Sequence, residues 1–260
     1  MSRRKKAQAF IEQAHANFTN ENAKLYSAHS KIETTTYIRS VNVHQKQFVK
    51  SIKNNILTLG SAPAGCGKTL LALFTGIQLI NDKESPIEKI LYVRANIDDR
   101  EEKELGALPG ELLDKTKHLA YPILDNLEMF MKKEAVESAL TSSKIEVLPF
   151  QMMRGRSFHN TFVILDETQN ATKKQLKTLM TRLCETSKLI IIGDPSQCDI
   201  DAFKNGLIDL EWRLNKKANT SITEENKYQA QVNYGVIHFD YEDILRSELT
   251  KFAIDLYNIK

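Results

Sequence analysis

Disulfide chemistry has little to work with in this chain, which holds three cysteines, Cys66, Cys184 and Cys198, and no C-x-x-C pair. One thiol is left over in any pairing, which fits a reducing compartment and excludes a zinc knuckle or a disulfide scaffold. Ten glycines and six prolines are too few for a fibrous or low-complexity protein. Long apolar runs are missing as well. The longest are pieces such as Phe162 to Leu165 and Leu189 to Ile192, far short of the roughly 20 residues that a membrane-crossing helix needs, so no membrane partner is expected. The basic Ser2-Arg3-Arg4-Lys5-Lys6 runs into polar residues rather than an apolar stretch. No secretory signal is therefore expected, and the predicted location is the cytoplasm.

A strong excess of one charge is also absent from the body of the chain. The net charge is +3, but residues 1–40 hold seven basic and three acidic groups of the 36 and 33 in the whole. The other 220 residues therefore carry 29 basic and 30 acidic groups, so any anionic partner must be met by local patches. What is present is ample material for one large core, with 42% hydrophobic residues in 260. Residues 1–41 read as a basic, polar leader and residues 42–260 as a single domain.

Within that domain, short aliphatic runs alternate with amphipathic stretches. The runs are Ile56 to Gly60, Lys89 to Ala95, Ile145 to Phe150, Thr161 to Glu167, Lys188 to Asp194 and Val236 to Asp240. Runs apolar on both faces and separated by helical periods predict an α/β fold with a parallel sheet covered on both sides. Leu176, Leu179, Met180 and Leu183 predict a helix between Thr172 and Glu185, and Glu111 to Lys133 reads as a helix split or kinked by Pro122. Asn215 to Val232 loses periodicity and reads as a connection.

The strongest chemical signal is Ala62-Pro63-Ala64-Gly65-Cys66-Gly67-Lys68-Thr69, between the first strand and a helical run beginning at Leu70. Strand, glycine-bearing loop and helix N-terminus make a phosphate cradle: backbone N–H groups turn inward and the helix dipole adds positive potential. Lys68 supplies charge for the β and γ phosphates, and the Thr69 hydroxyl is placed to ligate Mg²⁺. Such a loop needs a second oxygen donor for the metal. Asp166 offers it at the end of Phe162 to Leu165, while Glu167 beside it can orient an attacking water, which favours hydrolysis over transfer to a substrate. Gln197, in Gly193-Asp194-Pro195-Ser196-Gln197, has the amide geometry to sense a γ-phosphate. Arg94, Arg154, Arg156, Arg182 and Arg246 carry the fork suited to phosphate.

In this order the motifs resemble the PhoH family, phosphate-starvation-inducible P-loop ATPases related to the first domain of superfamily 1 helicases. The resemblance runs from about Asn42 to Tyr257. It rests on Gln45, the loop at 62 to 69, L-G-A-L-P-G at 105 to 110, M-R-G-R at 153 to 156, I-L-D-E-T-Q-N at 164 to 170, G-D-P-S-Q at 193 to 197 and D-I-L-R at 243 to 246. It implies a RecA-like P-loop NTPase fold with ATP and Mg²⁺ as cofactors. The implied contacts are Gln45 to adenine, Pro63, Ala64, Gly65, Cys66, Gly67, Lys68, Thr69 and Leu70 to nucleotide, Thr69 and Asp166 to metal, Glu167 to water and Gln197 to the γ-phosphate. It also implies a homo-oligomeric ring, commonly hexameric, completed by a neighbour's arginine, with Arg182 and Arg246 as candidates, and a partner that is RNA or single-stranded DNA.

Thr168 departs from the family's usual Ala, and Ser247-Glu248 from its usual His-Pro. About forty residues before the core leave no room for a PIN nuclease domain or an N-terminal nucleic-acid-binding segment, so no nuclease is expected; the compact form is similar to those encoded by bacteriophages. The expected activity is ATP hydrolysis coupled to nucleic-acid binding. The alternatives are a P-loop kinase and a nucleotide-regulated scaffold with negligible turnover.

Overall fold

The computed structural model of the chain describes residues 31–95, 122–153, 155–201, 203–218 and 232–258. Contacts divide the chain into Met1–Ile32 and Glu33–Lys260, and everything below belongs to the second unit. The leader up to residue 30, the L-G-A-L-P-G motif, the first half of the helix expected at 111–133 and Arg154 lie outside the described residues.

The described elements are α1 (Val43–Asn54), β1 (Leu57–Ser61), α2 (Lys68–Asn81), β2 (Lys89–Arg94), a helical stretch at 122–128, α3 (Lys133–Thr141), β3 (Ile145–Pro149), β4 (Thr161–Asp166), α4 (Lys173–Met180), β5 (Lys188–Gly193), α5 (Gly206–Ala218), β6 (Tyr234–His238) and α6 (Glu248–Asn258). All six expected strands are present, each within two residues of its expected ends. They form one sheet in the order β3-β2-β4-β5-β1-β6, and every pairing is parallel. This is the α/β fold with a parallel sheet that the alternation of runs predicts, and the loop at 62 to 69 joins β1 to α2 within it. Among the described residues no helix is long and apolar enough to cross a membrane.

Strand position in the sheet follows residue chemistry. β1, β4 and β5 are buried almost throughout. The two edge strands are only partly buried, and β3 blunts its edge with Glu146, which accepts from Lys89 at 2.6 Å and Arg156 at 3.2 Å. On one face Leu59, Val93, Leu165 and Ile191 pack against Leu176 and Leu179 of α4 and Leu207 and Leu210 of α5. On the other face Phe162 and Ile90 sit so close to Gly76 of α2 that a Cβ there would lie 2.9 to 3.0 Å from their side chains. The sheet thus buries both faces, and its C-terminal edge is left for the loops.

Two sequence expectations shift. The helix expected to Glu185 ends at Met180, because Thr181 caps it and the chain then turns extended, with Phe158 N donating to Arg182 O and Cys184 N to Phe158 O. Leu183, in helical phase by spacing, packs on the core from that extended segment instead. The connection expected from Asn215 begins later, since Asn215 to Ala218 complete α5; residues 219–231 are outside the described set. The helical stretch that contains Pro122 is described from residue 122 to 128, and the residues before it lie outside the described set.

Gly60 in β1 shows how closely α1 lies on the sheet, as an added Cβ would meet the Phe48 ring at 2.7 Å. Gly60→Ala is expected to cost about 1–3 kcal/mol by overpacking. A smaller penalty should follow in a Phe48→Leu background. Urea unfolding of the single and double variants reads both, and equal penalties in the two backgrounds would contradict the contact.

Candidate nucleotide site

The phosphate loop begins where β1 leaves the sheet, and Ala62 N still bonds to Gly193 O of β5 at 3.0 Å. Gly65 and Gly67 take φ of +90° and +75°, values that a side chain resists. Ala62, in place of the usual glycine, is not among the residues with positive φ, so the loop accepts it without strain. Gly67 leads directly into Lys68, the first residue of α2. The loop therefore presents the N-terminus of a 14-residue helix, with its unpaired N–H groups and positive dipole end.

Lys68 is 9% exposed, and its Nζ donates to Ala62 O and Pro63 O, each at 2.8 Å. Burial pushes its pKa below the usual lysine value, while the nearby Asp194, Asp166 and Glu167 carboxylates pull it up. Thr69 Oγ1 donates to Asp166 Oδ2 at 2.8 Å, and Tyr92 Oη donates to the same oxygen at 2.9 Å. Asp166 thus gathers the loop, the end of β4 and the middle of β2. Tyr92 is fully buried, and burial together with Asp166 raises its pKa far above the ordinary phenol value. The phenol stays a donor to the carboxylate.

Glu167 takes a left-handed conformation, φ +55° and ψ +37°, a strained geometry for a residue with a side chain. Its carboxylate is held from two sides. Gln169 Nε2 donates to Oε2 at 2.7 Å and Arg94 Nη2 approaches Oε1 at 3.4 Å. Gln169, 1% exposed, also accepts Asp194 N at 3.0 Å on its Oε1, so one buried amide joins the end of β4 to the end of β5. Thr168, the departure from Ala, is fully buried with its hydroxyl satisfied by Leu165 O at 3.0 Å.

The remaining expected residues fall into three groups. Gln45 reaches the loop, but both ends of its buried amide are engaged there: Oε1 accepts Val41 N at 2.8 Å and Nε2 donates to Cys66 O at 3.0 Å. In this structure it braces the loop. Gln197 is exposed in the turn after β5, on the same edge of the sheet as the loop. The two arginines part company. Arg246 lies over the loop of its own chain, its aliphatic stem 3.1 to 3.3 Å from where a Gly65 Cβ would be, and Leu245 N donates to Gly65 O at 3.1 Å. That placement is in cis. Arg182 follows α4 and precedes β5, at the edge of the sheet opposite the loop.

Tyr92, Gln169 and the role of Arg94 are additions that no motif assigned. The signal for Tyr92 was one hydroxyl in an otherwise aliphatic run; Gln169 stood within I-L-D-E-T-Q-N at 164 to 170, two residues after Glu167, without a role of its own. A further clip holds the segment over the loop: His44 Nδ1 lies 2.6 Å from Asp243 Oδ2, which also accepts Asp240 N at 2.9 Å. Cys66, 1% exposed in the loop itself, has its thiol pushed up to about 11 by burial, against the pull of Lys68.

That thiol makes the loop's closure measurable. At pH 8 only on the order of one Cys66 in a thousand is thiolate, and thiolate is the reactive form. Iodoacetamide should therefore modify the partly exposed Cys184 and spare Cys66 in folded protein, as read by peptide mass. Fast labelling of Cys66 under native conditions would contradict the buried loop.

The chain can now be set beside known proteins. The family model for PhoH-like protein matches residues 37–258. A PhoH-like protein of Bacillus subtilis (strain 168) is 33% identical over 222 residues, covering 85% of this chain and 64% of that protein. Protein PhoH of Escherichia coli (strain K12) is 31% identical over 227 residues, covering 86% and 59%. A PhoH-like protein of a Synechocystis strain is 37% identical over 171 residues, covering 65% and 51%. The chain thus spans between about half and two thirds of the length of these relatives. Among solved structures, the large terminase of a thermophilic bacteriophage aligns at a TM-score of 0.49 and 11% identity, covering 84% of this chain and 50% of that one. A likeness of that size adds nothing to the fold already described.

Proposed function

This chain belongs to the PhoH-like protein family, and from that footing we propose that it is a magnesium-dependent ATP hydrolase that works as a ring on RNA or single-stranded DNA. The observation that carries the reading is the 2.8 Å contact of Thr69 Oγ1 with Asp166 Oδ2 beside the buried Lys68. A hydroxyl and a carboxylate meeting at one point are the oxygen donors that a hard, six-coordinate Mg²⁺ takes, so the residues fit the ion. Thr69 and Asp166 would hold the ion, which when bound would supply positive charge to offset that of the phosphates.

The chain's own groups do the rest. The N–H groups of the loop from Ala64 to Leu70 cradle the phosphates, and Lys68 turns from the Ala62 and Pro63 carbonyls to the phosphate oxygens. Glu167 orients and polarises the attacking water, held in aim by Gln169 and Arg94. Its side chain is 36% exposed, so water reaches it, which favours hydrolysis over the phosphate transfer of a kinase. Gln197, exposed on the same edge, reads the γ-phosphate. Arg246, whose stem already lies on Gly65, serves its own site. Arg182, on the opposite edge, could serve only the site of another copy, and it carries a buried Nε without a partner among the described residues.

Phosphate-release assays test the reading. Lys68→Ala is expected to abolish nucleotide binding or turnover, and Glu167→Gln to keep binding and block turnover. Normal hydrolysis by the Glu167 variant would refute its role. If Arg182 is the neighbour's finger, Arg182→Ala should lower the rate by about 10³ to 10⁵, and mixing it with Lys68→Ala chains should restore part of it. Stimulation by single-stranded nucleic acid should weaken as salt rises, since phosphate contacts release counterions; no stimulation at any salt would remove the nucleic-acid half of the proposal.

A further inference from the structure

Away from the nucleotide crevice, two apolar surfaces stand without a partner among the described residues. The first is on α6, where Leu249, Phe252 and Leu256 are 72%, 61% and 50% exposed, and Leu245 just before the helix is 54% exposed. Spacings of four, three and four residues align them as one stripe. Among the described side chains of α6 none is buried, although a helix of 11 residues is marginal in water unless one face is packed. Its orientation is nonetheless fixed, because Tyr241 Oη donates to Asp255 Oδ2 at 2.7 Å and Leu245 N is bonded to Gly65 O.

The second surface is at α5, where Phe203, Ile208 and Trp212 are 86%, 43% and 57% exposed. The charge around the two is opposite. Residues 240–258 carry five carboxylates, of which Asp243 is buried against His44, and two cations, whereas residues 203–218 carry four cations and two carboxylates. Two of those cations, Arg213 and Lys216, lie 5.9 and 5.1 Å from the centre of the Trp212 ring.

We propose that these surfaces are the two halves of one head-to-tail contact between copies of this chain, the α6 stripe of one seating on the Phe203, Ile208 and Trp212 surface of the next. The inference rests on the ring reading above and supplies its contact. An acidic rim meeting a basic rim favours this pairing, whereas two α6 surfaces facing each other would bring like charge together. Unlike surfaces make a heterologous contact, which repeats from copy to copy and gives a ring when the rotation between copies closes. Because α6 follows directly on Arg246, whose stem covers Gly65, the same contact brings a neighbour to the mouth of the phosphate loop. Assembly and nucleotide occupancy are thereby coupled.

Cysteine cross-linking of the full chain tests this. Phe252→Cys and Trp212→Cys variants of distinguishable mass are treated with a short bismaleimide, alone and mixed, with the unmodified chain as background. Product joining a Phe252→Cys chain to a Trp212→Cys chain is expected in the mixture and above background nowhere else. Product from Phe252→Cys alone that joins residue 252 of one chain to residue 252 of another, as read by peptide mass, would mean a symmetric α6 contact and overturn the proposal. Independently, Leu249→Glu should raise the concentration needed for assembly about tenfold or more, read by mass measurement with ATP, while circular dichroism stays unchanged. A wild-type chain that assembles while these variants leave it untouched would overturn this inference and spare the ring. A wild-type chain that stays monomeric with ATP and oligonucleotide would overturn both.

Discussion

The carboxylate of Asp166 is where the parts of this fold are made to agree. One of its oxygens accepts from Thr69 at the start of α2 and from Tyr92 inside β2, and the other accepts from the backbone of Glu167. A half-buried charge is tolerable there because donors surround it. The parallel sheet brings those donors together by register, since Arg94 of β2 pairs with Asp166 of β4 and β5 lies between β4 and β1. A shift of one residue in β4 would turn the carboxylate to the opposite face and undo the site.

From that point a second layer spreads along the edge of the sheet. Gln169 connects Glu167 to the backbone of Asp194, and its own carbonyl is held by Asn205 Nδ2 at 3.2 Å. Gly193 must be glycine for this to close, as a Cβ there would lie 2.6 Å from Leu207 and 3.0 Å from Gln169 Oε1. The strained backbone of Glu167 is kept in place by these bonds, so a carboxylate in the middle of the edge is held in one direction and not left to sample many. On the other side of the loop, the segment from Asp240 to Arg246 closes over Gly65, clipped by His44 and Asp243.

How much of this the sequence disclosed depended on the range of the interaction. The strands were legible because their residues are apolar on both faces over five or six positions. The loop was legible because two glycines flanking a tight bend, with a lysine at the helix start that follows, suit a bound phosphate and little else. Helix ends were less legible: Leu183 keeps helical spacing after Met180, yet the core takes it from an extended segment, a choice made by tertiary packing. Side-chain partners across strands were least legible. Nothing local to Tyr92 or Gln169 tells that one meets Asp166 and the other spans β4 and β5, because those meetings are set by sheet order. The same holds for the arginines, whose placements, one over its own loop and one on the far edge, are set by topology.

On the proposed function, Asp166 and Thr69 make the loop a place for a metal-bound triphosphate. Calorimetric titration of a non-hydrolysable ATP analogue into the chain, with Mg²⁺ and with excess chelator, tests it most directly, with Asp166→Asn as the paired variant. Binding is expected to be tighter with Mg²⁺ than without, and the advantage to shrink or disappear in the Asn variant while weak metal-free binding at Lys68 persists. Equal affinity with and without the metal, or no heat at all from the wild-type chain, would contradict it.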